Sequence, residues 1–146
     1  MEVKIRRIGA GEQELVLISC REVTEEVREI AAFVKSRQGS LSGVRDERQY
    51  EIPLSELYYI ESVDGKTFLY TKAQVYESAY RVYELEDLLK AKHFRRVSKS
   101  MLLNLMKISA IRPALNGRLT AVLQSGEEVI ISRSYVKDLK AALKGA

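Results

Sequence analysis

The chain has 146 residues, 46% hydrophobic and 30% charged, the proportions of a globular protein with one core and a small accessory unit. Cys20 and His93 are the only cysteine and histidine, which excludes a disulfide framework, leaves too few ligands for a structural zinc, and fits a reducing cytoplasm. The net charge of +4 is split unevenly, +9 over residues 90–146 and −5 over residues 1–89, an asymmetry expected where one end meets nucleic acid or an anionic surface.

Val3, Ile5 and Ile8 form the apolar positions of a short expected strand, and Glu14–Ser19 (ELVLIS) of a second. Neither the segment MEVKIRRIGAGEQEL nor any later run has the apolar length of a secretory signal or a membrane span, so a cytoplasmic protein is expected. A helix is predicted over Thr24–Arg37, with Val23, Val27, Ile30, Ala31 and Val34 along one stripe. Thr24 is its expected cap, Glu25 and Glu26 complement its dipole, and Lys35 and Arg37 sit in its last turn. Residues 1–45 are therefore expected to be a small α/β extension. The polar stretch 38–48 separates them from the second unit, residues 46–146.

Beyond that stretch the pattern changes to hairpins. Asp64-Gly65 joins Leu57–Val63 to Phe68–Tyr70, Asn116-Gly117 joins Ile108–Leu115 to Leu119–Leu123, and Ser125-Gly126 joins Ala121–Leu123 to Val129–Ile131. Such spacing predicts a mostly β, antiparallel module interrupted by helices over Val82–Ala91 and Tyr135–Leu143. The eight tyrosines fit cross-strand packing better than a base-stacking platform.

Catalysis has no support. The lone histidine and cysteine lie far apart, and neither a dinucleotide fingerprint nor a phosphate-cradling loop is present. No cofactor and no small-molecule substrate are expected. The basic half carries two suggestive clusters. In His93–Ser100 (HFRRVSKS), Arg95, Arg96, Lys99, Ser98 and Ser100 can donate to phosphates, and a loop-tip lysine can reach guanine N7 and O6. In Ile131–Tyr135 (ISRSY), a strand turns into a helix whose first amides, Arg133 and Ser134 form an anion site, with Lys137 one turn on. Either cluster alone reads equally well as a helix cap with solvated side chains.

These residues carry a resemblance. Leu57–Thr67 (LYYIESVDGKT) resembles the opening strand and first loop of the LytTR family of DNA-binding domains. Leu85–Leu89 (LEDLL), Phe94–Ser100 (FRRVSKS), Leu103-Asn104 and Ile108 resemble its central block. Pro113, Asn116-Gly117, Leu123, Gly126-Glu127 and Ile131–Tyr135 resemble its ending. The likeness runs from about Ile52 to Leu143. It implies an elongated stack of antiparallel sheets, mostly β, whose edge loops enter successive major grooves of double-stranded DNA at paired direct repeats, two copies forming a homodimer there. The implied recognition segments are Asp64–Thr67, with Lys66 and Thr67 where some relatives have a histidine; Ser98–Ser100, with Lys99 on a base; and Ser132–Ser134. Familiar members fuse the domain to an acidic receiver. Residues 1–45 are too short for one and contain no aspartate, so the chain resembles the stand-alone regulators, often restrained by a membrane-protein partner. A bacterial transcription regulator is the leading expectation. A protein-interaction adaptor built on the same sheet, and a single-strand binder, are the competing readings.

Overall fold

The computed structural model describes residues 1–144, the side chains of residues 36–38 excepted. Three helices, α1 (Glu25–Gln38), α2 (Val82–Leu89) and α3 (Arg133–Lys144), flank ten strands. Strands β1 (Ser40–Arg45), β2 (Arg48–Pro53), β3 (Leu57–Val63), β4 (Lys66–Thr71), β5 (Val75–Ser78), β6 (Phe94–Ser98) and β7 (Met101–Asn104) form one antiparallel sheet in the order β2-β1-β5-β4-β3-β7-β6. Strands β8 (Ile108–Pro113), β9 (Leu119–Leu123) and β10 (Glu128–Ile131) form a second, in the order β10-β9-β8. The expected antiparallel, mostly β architecture is the one found.

The larger sheet is buried on both faces at its centre, and the alternation of side chains explains how. Ile60 stands opposite Leu69 and Leu102, and this row joins Leu41, Ile52, Leu57 and Phe94 against Val82, Leu85 and Leu89 of α2. One position along, Tyr59 stands opposite Tyr70 and Leu103 on the other face. There Val97 and Leu103 meet Leu119, Ala121, Leu123, Val129 and Ile131 of the small sheet and Leu139 of α3. The tyrosines pack as expected, with Tyr59 and Tyr70 stacked at 4.4 Å and Tyr50 tilted against Tyr76 at 5.4 Å. Asn104, buried between the cores, donates to the Leu57 carbonyl at 2.8 Å and accepts from the Met106 amide at 3.0 Å. It fixes the chain where it leaves the large sheet.

Three expectations for the first half need correction. No strand forms over 3–8 or 14–19 among the described residues; both segments are without a ladder partner and, apart from half-buried Ile8 and Ile18, exposed, and an apolar pattern alone cannot make a strand without a neighbour to pair with. The polar stretch 38–48 is not a separator. It folds into the β1–β2 hairpin, paired from Ser40↔Pro53 to Arg45↔Arg48, so the division at 45/46 falls at the hairpin's turn. That turn places Asp46 (φ 52°) and Glu47 (φ 63°) in the left-handed region without any glycine, which is why composition hid it. The third concerns the helix stripe. The Val27 amide donates to Thr24 Oγ1 as expected, but Val23 precedes α1 and is exposed, while Ala32 is buried beside Val27. Arg37, placed in the last turn, lies outside the described side chains, as do residues 145 and 146 at the end of the second unit.

Gly43 in β1 is required by close approach. A Cβ there would stand 2.8 Å from Ile52 Cδ1 and from Tyr76 Cβ, in the middle of the first core. The smaller helical predictions hold with short shifts. The segment after α2 tightens into a 3₁₀ turn over Lys90–Lys92 that ends at His93 in a left-handed conformation (φ 66°), and α3 begins at Arg133 rather than Tyr135.

Candidate nucleic-acid interface

Backbone hydrogen bonds bring separate parts of the chain to one end of the sheets. The β3–β4 turn is a two-residue connection, Asp64 (φ 51°) and Gly65 (φ 78°), flanked by Val63↔Lys66. The β6–β7 turn lies beside it because β7 runs antiparallel to β3, and the Ser62 amide donates to the Ser100 carbonyl at 2.8 Å. On the other side of β6, the Ser132 amide donates to the Val97 carbonyl at 2.9 Å, which anchors the start of α3 next to Ser98. The β8–β9 turn completes the edge: a Cβ at Gly117 would stand 3.0 Å from Arg133 Cδ, so the glycine leaves room for the arginine stem.

Lys66, Lys99, Arg133, Ser134 and Lys137 are exposed along these segments. Lys99 occupies the tip of the β6–β7 turn, and its neighbours shape that tip. Ser98 Oγ accepts from the Ser100 amide at 3.3 Å and lies 3.5 Å from Ser100 Oγ, so both serines, half-buried, brace the turn. Arg96 braces it from beneath. Its Nη1 donates to the Lys99 carbonyl and its Nη2 to Glu86 Oε1 at 2.8 Å, while Nε, buried, has no partner among the described residues. A guanidinium so committed is a support for Lys99 rather than a free phosphate donor.

Two further candidates are placed differently from what residue type implied. Arg95 folds back, with Nη1 donating to the carbonyls of Lys90 at 2.6 Å and Phe94 at 2.9 Å. Thr67, only 4% exposed and opposite Ser78, belongs to the interior of the β4–β5 pair and not to the outer edge. Sequence reasoning also missed Arg81. It sits just before α2, exposed, and its Nη1 donates to the Gly65 carbonyl at 3.1 Å, adding a cation behind the first turn. Only its position before a helix was legible, since the contact joins residues brought together by the β4–β5 pairing.

Away from this edge, the layer between the sheets holds a different chemistry. Tyr59 Oη donates to Glu127 Oε2 at 2.8 Å; burial and that carboxylate together push the Tyr59 hydroxyl well above its ordinary range. Burial, then the neighbouring Glu127 charge, also raises Glu61 above the usual carboxylate value. Of the two carboxylates, Glu61 is half-buried and Glu127 is exposed.

The model of the LytTr DNA-binding domain matches residues 47–144. The chain belongs to the LytTr DNA-binding domain family. It is similar to the transcriptional regulatory protein YpdB of Escherichia coli K12, 33% identical over 111 residues, which cover 75% of this chain and 46% of that protein. It is also similar to the sensory transduction protein LytT of Enterococcus faecalis, 31% identical over 98 residues, covering 67% of this chain and 40% of that one. This chain thus spans less than half the length of these relatives. An uncharacterised HTH-type transcriptional regulator of Staphylococcus aureus is 27% identical over 139 residues, 93% of this chain and 94% of that protein. Among solved structures, the LytTr DNA-binding domain of a methyl-accepting/DNA response regulator from Bacillus cereus superposes with a TM-score of 0.68 at 26% identity, over 72% of this chain and 96% of that one. Among the described residues no helix of this LytTr protein is long and apolar enough to cross a membrane.

Proposed function

We propose that this LytTr protein is a sequence-specific, double-stranded DNA-binding transcription regulator that reads major grooves with one edge, without catalysing a reaction. The supporting observation is the convergence of the β3–β4 turn, the β6–β7 turn and the start of α3, joined by the Ser62–Ser100 and Val97–Ser132 backbone bonds. Exposed loop tips and a helix N-terminus side by side match what groove reading needs: donors projecting from a stiff support. Lys99 is the base reader, held at its tip by Arg96. Arg133 projects from the first turn of α3 to a guanine or a phosphate, and Lys66, Ser134 and Lys137 contact phosphates and fix the register. Two copies bind paired direct repeats, one repeat each.

The test is selection of duplexes from a random pool, then titration of the selected duplex against unrelated duplex and single strand. A selected sequence carrying two repeated elements, bound far more tightly than either competitor, is the expected result. Equal affinity for all three removes sequence-specific reading. No measurable affinity for any leaves the sheet as a protein-interaction adaptor.

A further inference from the structure

The first nineteen residues are the part of the molecule that its own fold leaves unused. A turn at Gly9–Glu12, closed by the Glu12 amide on the Gly9 carbonyl at 3.1 Å, separates two segments outside any helix or strand, one with apolar Val3, Ile5 and Ile8 and one with the apolar run Leu15–Ile18. Val3, Ile5, Leu15, Val16 and Leu17 all stand in solvent, Ile5 at 95% and Leu17 at 78% exposure. Among the described residues these segments have no ladder to each other or to either sheet. Backbone without a ladder partner, carrying exposed β-branched and leucine side chains, is a template for strand pairing.

Charge identifies the partner. The first segment carries Lys4, Arg6 and Arg7 against Glu2, and the second carries Glu12 and Glu14 with no cation before Ser19. Arg6 and Glu12 lie 3.9 Å apart across the turn of one chain, the same attraction on a small scale. A two-fold axis sets the basic segment of one copy against the acidic segment of the other twice over, as a closed, isologous contact requires. A foreign partner would have to supply both signs in the same order; a second copy does so automatically.

We propose that residues 1–19 are a dimerisation arm, pairing with the arm of a second copy in an antiparallel β arrangement that buries Val3, Ile5, Leu15 and Leu17. The arm then holds two domains together for paired repeats. This deepens the reading of two copies on DNA and rests on it only for what the dimer is used for.

The full-length protein is studied by sedimentation equilibrium without DNA. The wild type is expected to dimerise, and Ile5→Asp and Leu17→Asp each to weaken the dimer at least about tenfold. Near-ultraviolet circular dichroism of the packed tyrosines should be unchanged, because neither side chain belongs to a core. Arg6→Glu should weaken dimerisation, and adding Glu14→Lys should restore part of it. Cys20, exposed and the only cysteine, reports directly: a nitroxide there should show a label-to-label dipolar coupling that Ile5→Asp abolishes. A monomeric wild type, or both apolar variants dimerising as strongly as the wild type, overturns the proposal. No DNA enters these measurements, so the groove-reading proposal stands or falls separately.

Discussion

Lys99 and Arg96 show how two basic residues three positions apart divide one task. Lys99 is exposed at a turn tip, while Arg96 spends both terminal nitrogens on Glu86 and on the Lys99 carbonyl. Lys99→Ala is expected to lower affinity for the selected duplex by ~1–3 kcal/mol and to relax preference at one base position, read by repeating the titration on single-base variants. Equal loss on every sequence would make it a phosphate contact. Glu61 offers a stability test at the same scale. Its folded-state pKa is raised, first by burial and then by Glu127, so the native state holds the proton more tightly than the unfolded chain. Stability therefore falls as pH rises from the ordinary carboxylate value through the raised one. Above that window the whole penalty is present. Glu61→Gln should be more stable than the wild type at neutral pH, and the difference should vanish below the ordinary carboxylate pKa, as urea unfolding at several pH values would show.

At the scale of elements, the β1–β2 hairpin and α3 carry the sharpest tests. Glu47 adopts φ 63° in a two-residue turn, a conformation that strains a side chain bearing a Cβ. Glu47→Gly relieves that strain, less the larger entropy glycine loses on folding, for a net gain of ~0.5 kcal/mol in urea unfolding. A loss of stability would mean that the Glu47 side chain makes a compensating contact. α3 begins where the Ser132 amide is tied to β6, and Arg133 projects there with no ion pair among the described residues: Glu128 pairs with Arg112, and Glu127 accepts from Tyr59. Arg133→Ala should weaken duplex binding by ~1–3 kcal/mol with circular dichroism unchanged. Unfolding of this variant would instead assign the arginine a structural role.

At the scale of the molecule, not all of the surplus cations in residues 90–146 are free to meet DNA. Arg95 and Arg96 are turned to carbonyls and Glu86, and Arg112 is paired with Glu128. Lys99, Arg133 and Lys137 stand exposed at the candidate edge, where Lys66 and Arg81 from the first half join them. With Lys99 on a base and ~4 phosphates neutralised per domain, log K should fall against log salt with a slope of about −4. Lys137→Ala should reduce that slope by about one and leave sequence preference unchanged. A nearly flat salt dependence would remove the electrostatic basis of the edge.

Local signals in the sequence determined the turns at Asp64-Gly65, Asn116-Gly117 and Ser125-Gly126, the three helices, and the row Phe94–Ser100. Each depends on positive φ, capping or period, which neighbouring residues set among themselves. The glycine-free turn at Asp46-Glu47 escaped because the pairing of Ser40–Arg45 with Arg48–Pro53 imposes it from outside. The same limit explains the arm: the apolar pattern at Val3–Ile8 and Glu14–Ser19 is a property of the segment, but a ladder is a property of two segments. Which of the cations face outward was likewise undecided by residue type. Arg95, Arg96 and Arg133 are chemically the same side chain, and only the tertiary structure decides that two of them find carbonyl or carboxylate partners within reach while the third stands in solvent.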